Sequence, residues 1–369
     1  YQDSGVRQRI RLVRKEEVSY TESGQMVVDI TRLQAPADGY LDIAHALRNA
    51  YGADVVHLIV NSPDFCGLAY QMQSVSASFA PWAFGVNHYA CIAPIPVLAH
   101  ELGHNMGLGH DPYVNPAAAP YSYSYGYVNQ AAFVAGAPIS KRWRTVMAYN
   151  DQCVAAGFNC VHLDRLSNPS LTYGSDPMGH VSNADEARGL NNTAPTIAGF
   201  RATVVAPSVG HFVTSEEGDA GLQEVPGSGT PLFKDALTAD STVDVAPFVK
   251  RRRRVSVDFG SLRATLPRAL GGLDTTRELS LQLFPDAGGT AELVRVEPTS
   301  TGYVWVGRFQ NEPESSVTLA VTGEALSGSV VTGGRVYTIR PVAGGGHMIE
   351  EIDQAALPPE MEPLRPVIP

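Results

Sequence analysis

Residues 100–111 read His-Glu-Leu-Gly-His-Asn-Met-Gly-Leu-Gly-His-Asp. His100 and His104 are four apart, so on a helix they project from one face about a turn from each other. Two imidazoles at that spacing can bind one Zn²⁺. Glu101 follows the first histidine and is placed to act on a water at the metal rather than to bind the ion. Gly107 can leave the helix with a positive φ at no Cβ cost. That turn lets His110 swing back as a third ligand. Three neutral imidazoles leave one coordination position open, which marks a catalytic rather than a closed structural site. A lone histidine here would read as an ordinary helix-surface residue. Five specified positions in register do not. The sequence offers no competing nucleophile with a partnered base.

Several elements must position this cluster. Pro96 can open the helix at its first turn, where its missing N–H costs nothing. Val55–Val60 is a short apolar run that predicts a buried strand, and Ala83–Ile92 predicts another, at a sheet edge. Leu41–Tyr51 has apolar residues at helical spacing. Arg9–Val13 sits in an alternating run that predicts a strand. All four cysteines, Cys66, Cys91, Cys153 and Cys160, lie in the first 160 residues. An even count confined to one region fits two disulfides in a secreted domain, with free buried thiols as the alternative. Cys153 and Cys160 are close enough in a Gly/Asn-containing loop to close a small ring.

The chain has 369 residues, 44 % of them hydrophobic and 17 % charged, enough for two domains with sizeable cores. Its net charge of −10 argues against nucleic acid or an anionic membrane as partner. No apolar run is long enough for a membrane span. The chain opens on Tyr1 without a visible signal peptide, as expected of a processed or trimmed piece. Composition divides it three ways. Residues 1–204 mix helical and strand patterns. Residues 205–250 read as a linker or loosely ordered segment. Residues 251–369 are β-rich, with alternation at Val255, Val257 and Phe259, at Leu279, Leu281 and Leu283, and at Val317, Leu319 and Val321. Lys250–Arg254 reads either as a processing site or as a basic lead-in to a strand.

The stretch His100–Asp111 resembles the zinc signature of the metzincin metallopeptidases. Thr145-Val146-Met147-Ala148-Tyr149 resembles their Met-turn, which places a methionine, here Met147, beneath the metal. Cys66-Gly67-Leu68-Ala69-Tyr70 resembles a segment that precedes the active-site helix in the reprolysin branch. The stretch from Ser167 to Arg201 resembles the end of the catalytic domain in bacterial reprolysin-like and peptidyl-Asp metallopeptidases. Together these cover about residues 1–204. The resemblance implies an α/β (α+β) catalytic domain, with a mixed sheet above a cleft and the active-site helix below. It implies a secreted zinc endopeptidase acting on protein or peptide substrates, with His100, His104 and His110 as ligands and Glu101 as general base. Tyr149 stands two residues after the methionine, where astacin- and serralysin-like metzincins place a tyrosine that approaches zinc or the oxyanion. Reprolysins usually differ there.

Residues 251–353 resemble the β-rich propeptide of the same bacterial enzymes, through Arg254–Asp258, Leu281–Phe284, Gly302–Gly307 and Tyr337–Pro341. Those propeptides normally precede the catalytic domain, so the order here is reversed. The first strand and helix of a metzincin domain are also absent before Arg9. The expectation is a permuted or spliced chain, a junction between tandem units, or a rearranged inhibitor. The last implies an intramolecular contact between 251–369 and the catalytic region. With no cysteine after residue 204, such a block must work by shape or through His347, Glu350, Glu351 or Asp353. Two alternatives to an active peptidase follow: a latent or inactive metzincin, and a binding or adhesion protein whose function lies in the β-rich domain. An intact Glu101 argues against the second.

Overall fold

The helix carrying His100 and His104 runs Val97–Asn105, with Pro96 at its N-cap. It stops where Gly107 turns to φ 88°. There the Gly107 N–H donates to His104 and the Leu108 N–H to Gly103, closing carbonyls that a helix end leaves open. This computed structural model describes residues 1–115, 119–204, 231–236, 245–299 and 301–367. The described residues fall into two compact units: Tyr1–Ala206 with Leu357–Pro369, and Pro207–Ala356.

The first unit runs α1 (Met26–Gln34), α2 (Asp42–Tyr51), β1 (Val56–Val60), β2 (Gly67–Ala69), β3 (Phe84–His88), α3 (Val97–Asn105), β4 (Trp143–Arg144), α4 (Asp151–Ala155), β5 (Val161–His162), β6 (Asn168–Tyr173), β7 (Asp176–Met178) and α5 (Glu186–Ile197). The main sheet has the order β1-β3-β2, with β1 parallel and β2 antiparallel to β3. Helix α3 packs on β2 and β3. Helix α1 buries Met26, Ile30 and Leu33, spaced four and three apart as one helix face requires. They share a core with Leu68, Phe79, Phe84, Val86 and Met147.

Three expectations change. Arg9–Val13 forms no ladder; Leu12 is 78 % exposed. Alternation there is local, and without a neighbouring strand there is no apolar face to bury. The strand expected over Ala83–Ile92 stops at His88, gives way to a short 3₁₀ turn, and lies at the centre of its sheet, not at an edge. The domain limits also shift. Residues 357–367 leave the β-rich part and join the first unit, because Leu357, Met361 and Leu364 pack against its apolar clusters.

The second unit holds β8 (Phe233–Asp235), β9 (Val249–Val257), α6 (Phe259–Thr265), β10 (Glu278–Phe284), β11 (Ala287–Pro298), β12 (Tyr303–Phe309), β13 (Glu312–Thr322), β14 (Ala325–Thr332), β15 (Arg335–Pro341) and β16 (His347–Ile352). They form one nine-stranded sheet, antiparallel throughout, in the order β10 to β16, then β9 and β8. A bridge from Pro231 to Ser280 brings its two ends together. Part of the segment expected as a linker is thus strand, and its residues 205–230 and 237–244 lie outside the described residues. Lys250–Arg254 is interior to β9: Arg251 pairs with Glu351 and Asp286, and Arg253 with Asp235.

Two disulfides close, Cys66–Cys91 and Cys153–Cys160. The first ties the start of β2 to the turn that leads into α3. Loop-closure entropy assigns it about 3.5 kcal/mol and the shorter ring about 2.5 kcal/mol. Cys66→Ser with Cys91→Ser should therefore lower the melting temperature of the chain more than Cys153→Ser with Cys160→Ser; calorimetry of the two double variants checks the order.

Candidate metal centre

Helix α3 and the Gly107 turn deliver three imidazoles to one point. His100 Nε2 lies 3.1 Å from His104 Nε2 and 3.2 Å from His110 Nε2, and the latter two are 3.0 Å apart. All three side chains are buried. Their tautomers follow from the other ring nitrogen. His100 Nδ1–H donates to the Val146 carbonyl at 2.8 Å, and His104 Nδ1–H to the Leu108 carbonyl at 3.1 Å. Both acceptors lack a proton, so each imidazole must supply it. His110 Nδ1–H donates to Glu362 Oε1 at 3.2 Å. Each histidine thus turns an Nε2 lone pair toward the other two. Burial, the leading cause, holds all three below the usual histidine range, and hence neutral near pH 7.

Three converging lone pairs repel one another unless a cation lies between them. Tetrahedral zinc with bonds of about 2.0–2.1 Å needs ligand nitrogens roughly 3.3 Å apart. The donor set fits that ion, with the outer nitrogens held as metal-binding histidines usually are.

Glu101 is buried, and neither carboxylate oxygen has a hydrogen-bond partner among the described residues. Burial pushes it well above the usual carboxylate range, and Glu360 adds to the rise. Its space exists because β2 has glycine at Gly67; a Cβ there would stand 2.7 Å from Glu101 Cγ. Met147 packs beneath α3, where a Cβ on Gly103 would meet its Sδ at 2.6 Å. Gly126 lets a neighbouring loop pass against the backbone of Met147 and Ala148. Tyr149 also joins the cluster: its ring centroid is 3.9 Å from that of His110. Its N–H donates to Asp111 Oδ2 at 2.9 Å. Burial, then Glu360 and Glu362, raise the hydroxyl far above its usual range, so it stays protonated. Cys66, Cys91, Cys153 and Cys160 are occupied in disulfides.

Several participants carry no local signal. His57 on β1 places its ring nitrogens 3.0 Å from the Asn87 and Asn105 amide oxygens, linking β1, β3 and the end of α3. Asn105 Nδ2 donates in turn to the carbonyls of Tyr70 and Phe84. The four residues expected to block the site have partners within the second unit itself. Glu350 pairs with Arg340, Glu351 with Arg251 and Asp353 with Lys250, while His347 Nε2 accepts from the Leu326 N–H. Glu360 and Glu362 stand at the cluster instead. Their segment bonds along β2: the Cys66 N–H donates to Pro359, Leu364 N–H to Ala69 and Gln71 N–H to Leu364, at 2.8–2.9 Å.

His100, His162 and Glu360 form a second close group. His100 Nδ1 and His162 Nε2 both donate to the Val146 carbonyl at 2.8 Å. His100 thus presents a proton on that side, so this group suits a carboxylate rather than a cation.

A family model described as metallo-peptidase family M12B, reprolysin-like, matches residues 1–111. A Stenotrophomonas maltophilia (strain R551-3) protein named peptidyl-Asp metalloendopeptidase is 39 % identical over 201 residues, 54 % of this chain and 45 % of that protein. A Xanthomonas campestris protein of the same name is 36 % identical over 54 % of this chain and 44 % of its own length. A Pseudomonas fragi protein, again so named, is 30 % identical over 52 % of this chain and 92 % of its own length. The chain thus spans under half the length of the first two. No solved structure matches it.

One buried acid near the cluster sets a pH test. Glu186 on α5 accepts from the Ser167 N–H and from Thr145 Oγ at 3.4 Å, next to Val146. Burial nevertheless pushes it up to about 8. The folded state therefore holds this proton where the unfolded chain has lost it. Its contribution is full below the ordinary value and drains away as pH rises toward 8. Relative to the parent, Glu186→Gln should gain melting temperature between about pH 5 and about pH 9; parallel melts at both pH values check the sign.

Proposed function

Because the chain belongs to the reprolysin-like metallopeptidase family, we propose that it is a secreted zinc endopeptidase with a metzincin-type catalytic domain. The observation that carries this reading is the convergence of three neutral Nε2 atoms beside a buried Glu101 that has no hydrogen-bond partner among the described residues. Zinc, when bound by His100, His104 and His110, supplies Lewis-acid polarisation of a carbonyl and acidification of a water. Glu101 takes the proton of the attacking water and delivers it to the leaving amine. The protonated Tyr149 hydroxyl donates to the developing oxyanion. Met147 supports the histidines from below. The relatives' name, peptidyl-Asp metalloendopeptidase, suggests substrates cut next to aspartate. The exported, oxidising setting that two disulfides favour agrees with a secreted enzyme. The β-rich unit is proposed to be propeptide-like.

A second reading has an observation of its own. Residues 359–364 hydrogen-bond along β2, the sheet edge beside the histidines, and Glu362 contacts His110. An extended substrate would add to a free edge in the same way. The chain as it stands is then a latent peptidase, held by residues 357–367. Removing residues 357–369 should raise peptide turnover several-fold; unchanged turnover rejects latency.

The catalytic assignment has two tests. Glu101→Gln should keep one zinc per chain by elemental analysis and lose about 10²–10⁴-fold in kcat on a peptide substrate. Retained hydrolysis removes Glu101 as the base. Gly67→Ala should push the Glu101 carboxylate out of place, with a similar loss in kcat and undiminished zinc content.

A further inference from the structure

Strands β4 and β5 pair in parallel with Arg144 opposite His162, so the two side chains stand together on one face. Arg144 is 7 % exposed. It is held by a bond from Nη1 to the Ala148 carbonyl, while its Nε has no hydrogen-bond partner among the described residues. A buried guanidinium needs a counter-charge to offset its lost hydration. Among the described residues, Glu360 is the one carboxylate within 4.0 Å of it. Glu360 Oε1 is 3.8 Å from Arg144 and 3.6 Å from His162 Nδ1, and Oε2 is 3.9 Å from His100 Nδ1. These contacts are looser than ordinary ion pairs in the same chain, such as Lys141–Asp176 at 2.7 Å or Arg340–Glu350 at 2.8 Å. Glu360 arrives on the extended segment that bonds along β2, with its side chain 9 % exposed.

We propose that Arg144 is the specificity-determining residue of a pocket for an acidic side chain of a bound peptide, and that Glu360 occupies this pocket from within the chain. The assignment rests on the peptidase reading for its substrate, but the pocket has its own readout. A planar guanidinium fixed by the Met147 turn favours a carboxylate over the matching amide, which cannot supply the missing charge. Arg144 acts on which peptide is held, not on the bond that breaks.

The test uses the full-length chain and two peptides identical except for one Asp or Asn. The parent should favour the Asp peptide in kcat/KM by about tenfold or more. Arg144→Gln should bring the ratio close to one through a rise in KM for the Asp peptide alone. A general structural loss would instead lower kcat/KM for both. Glu360→Gln should act oppositely, lowering KM for the Asp peptide and not for the Asn peptide. This variant decides the matter if Arg144→Gln does not fold. An Asp/Asn ratio that neither substitution moves overturns the proposal. If no variant cleaves either peptide, the peptidase reading fails, and equilibrium binding of the same pair judges the pocket. A binding ratio that collapses in Arg144→Gln upholds it; an unmoved ratio, or no binding, overturns it.

Discussion

Three imidazole nitrogens, here 3.0–3.2 Å apart, can share one cation only if each presents a lone pair to it. That requires an acceptor for the proton on each opposite nitrogen. The first unit supplies three, from three separate places. Leu108 offers its carbonyl because Gly107 reverses the chain straight after the helix. Val146 offers its carbonyl from the turn that also carries Met147. Glu362 offers a carboxylate from the far end of the chain. Losing the Leu108 or Val146 acceptor frees a ring to flip or change tautomer, and a flipped ring points a proton at the metal position, whereas water can stand in for the exposed Glu362.

Holding these acceptors within tenths of an ångström requires backbones and side chains to meet more closely than a Cβ allows. Gly67 makes room for Glu101, Gly103 for the Met147 thioether and Gly126 for the Met147–Ala148 backbone. The His57 ring works from the opposite side, joining β1 and β3 to the last residue of α3. The Asn87 amide nitrogen has no hydrogen-bond partner among the described residues. Turning that amide over would give His57 one donor and one acceptor, as a buried neutral imidazole needs, and burial does hold its pKa low. The active helix is thus fixed at both ends, by the disulfide-tied entry at its start and by the Gly107 turn and the asparagine clamp at its finish.

How much of this could be read from residues alone depended on range. His100, Glu101, His104, Gly107 and His110 obey a local geometry, since helix periodicity and one glycine turn determine where they point. Alternation in the β-rich half was legible for the same reason. The false strand at Arg9–Val13 shows the limit of local pattern: a ladder needs a partner, and alternation does not name one. Glu362 meets His110 across 252 residues, and His57 meets Asn105 across 48. Nothing periodic announces either. Arg144 and His162 are two unremarkable residues until a short parallel pairing sets them side by side.

The segment around Glu360 answers two physical demands at once. Strand β2 ends its sheet, so its outer N–H and C=O groups need partners, and bare edges invite pairing with other chains. Residues 359–364 satisfy that edge through three backbone hydrogen bonds. The same residues carry the carboxylate that takes the His110 proton. A peptide entering along β2 must therefore replace both, offering its own backbone to the edge and leaving His110 to water or to another acceptor. Edge pairing is sequence-independent, so it gives any peptide a foothold without selecting among them. Selection has to come from side chains that reach past the edge, as Glu360 does toward the buried cation Arg144.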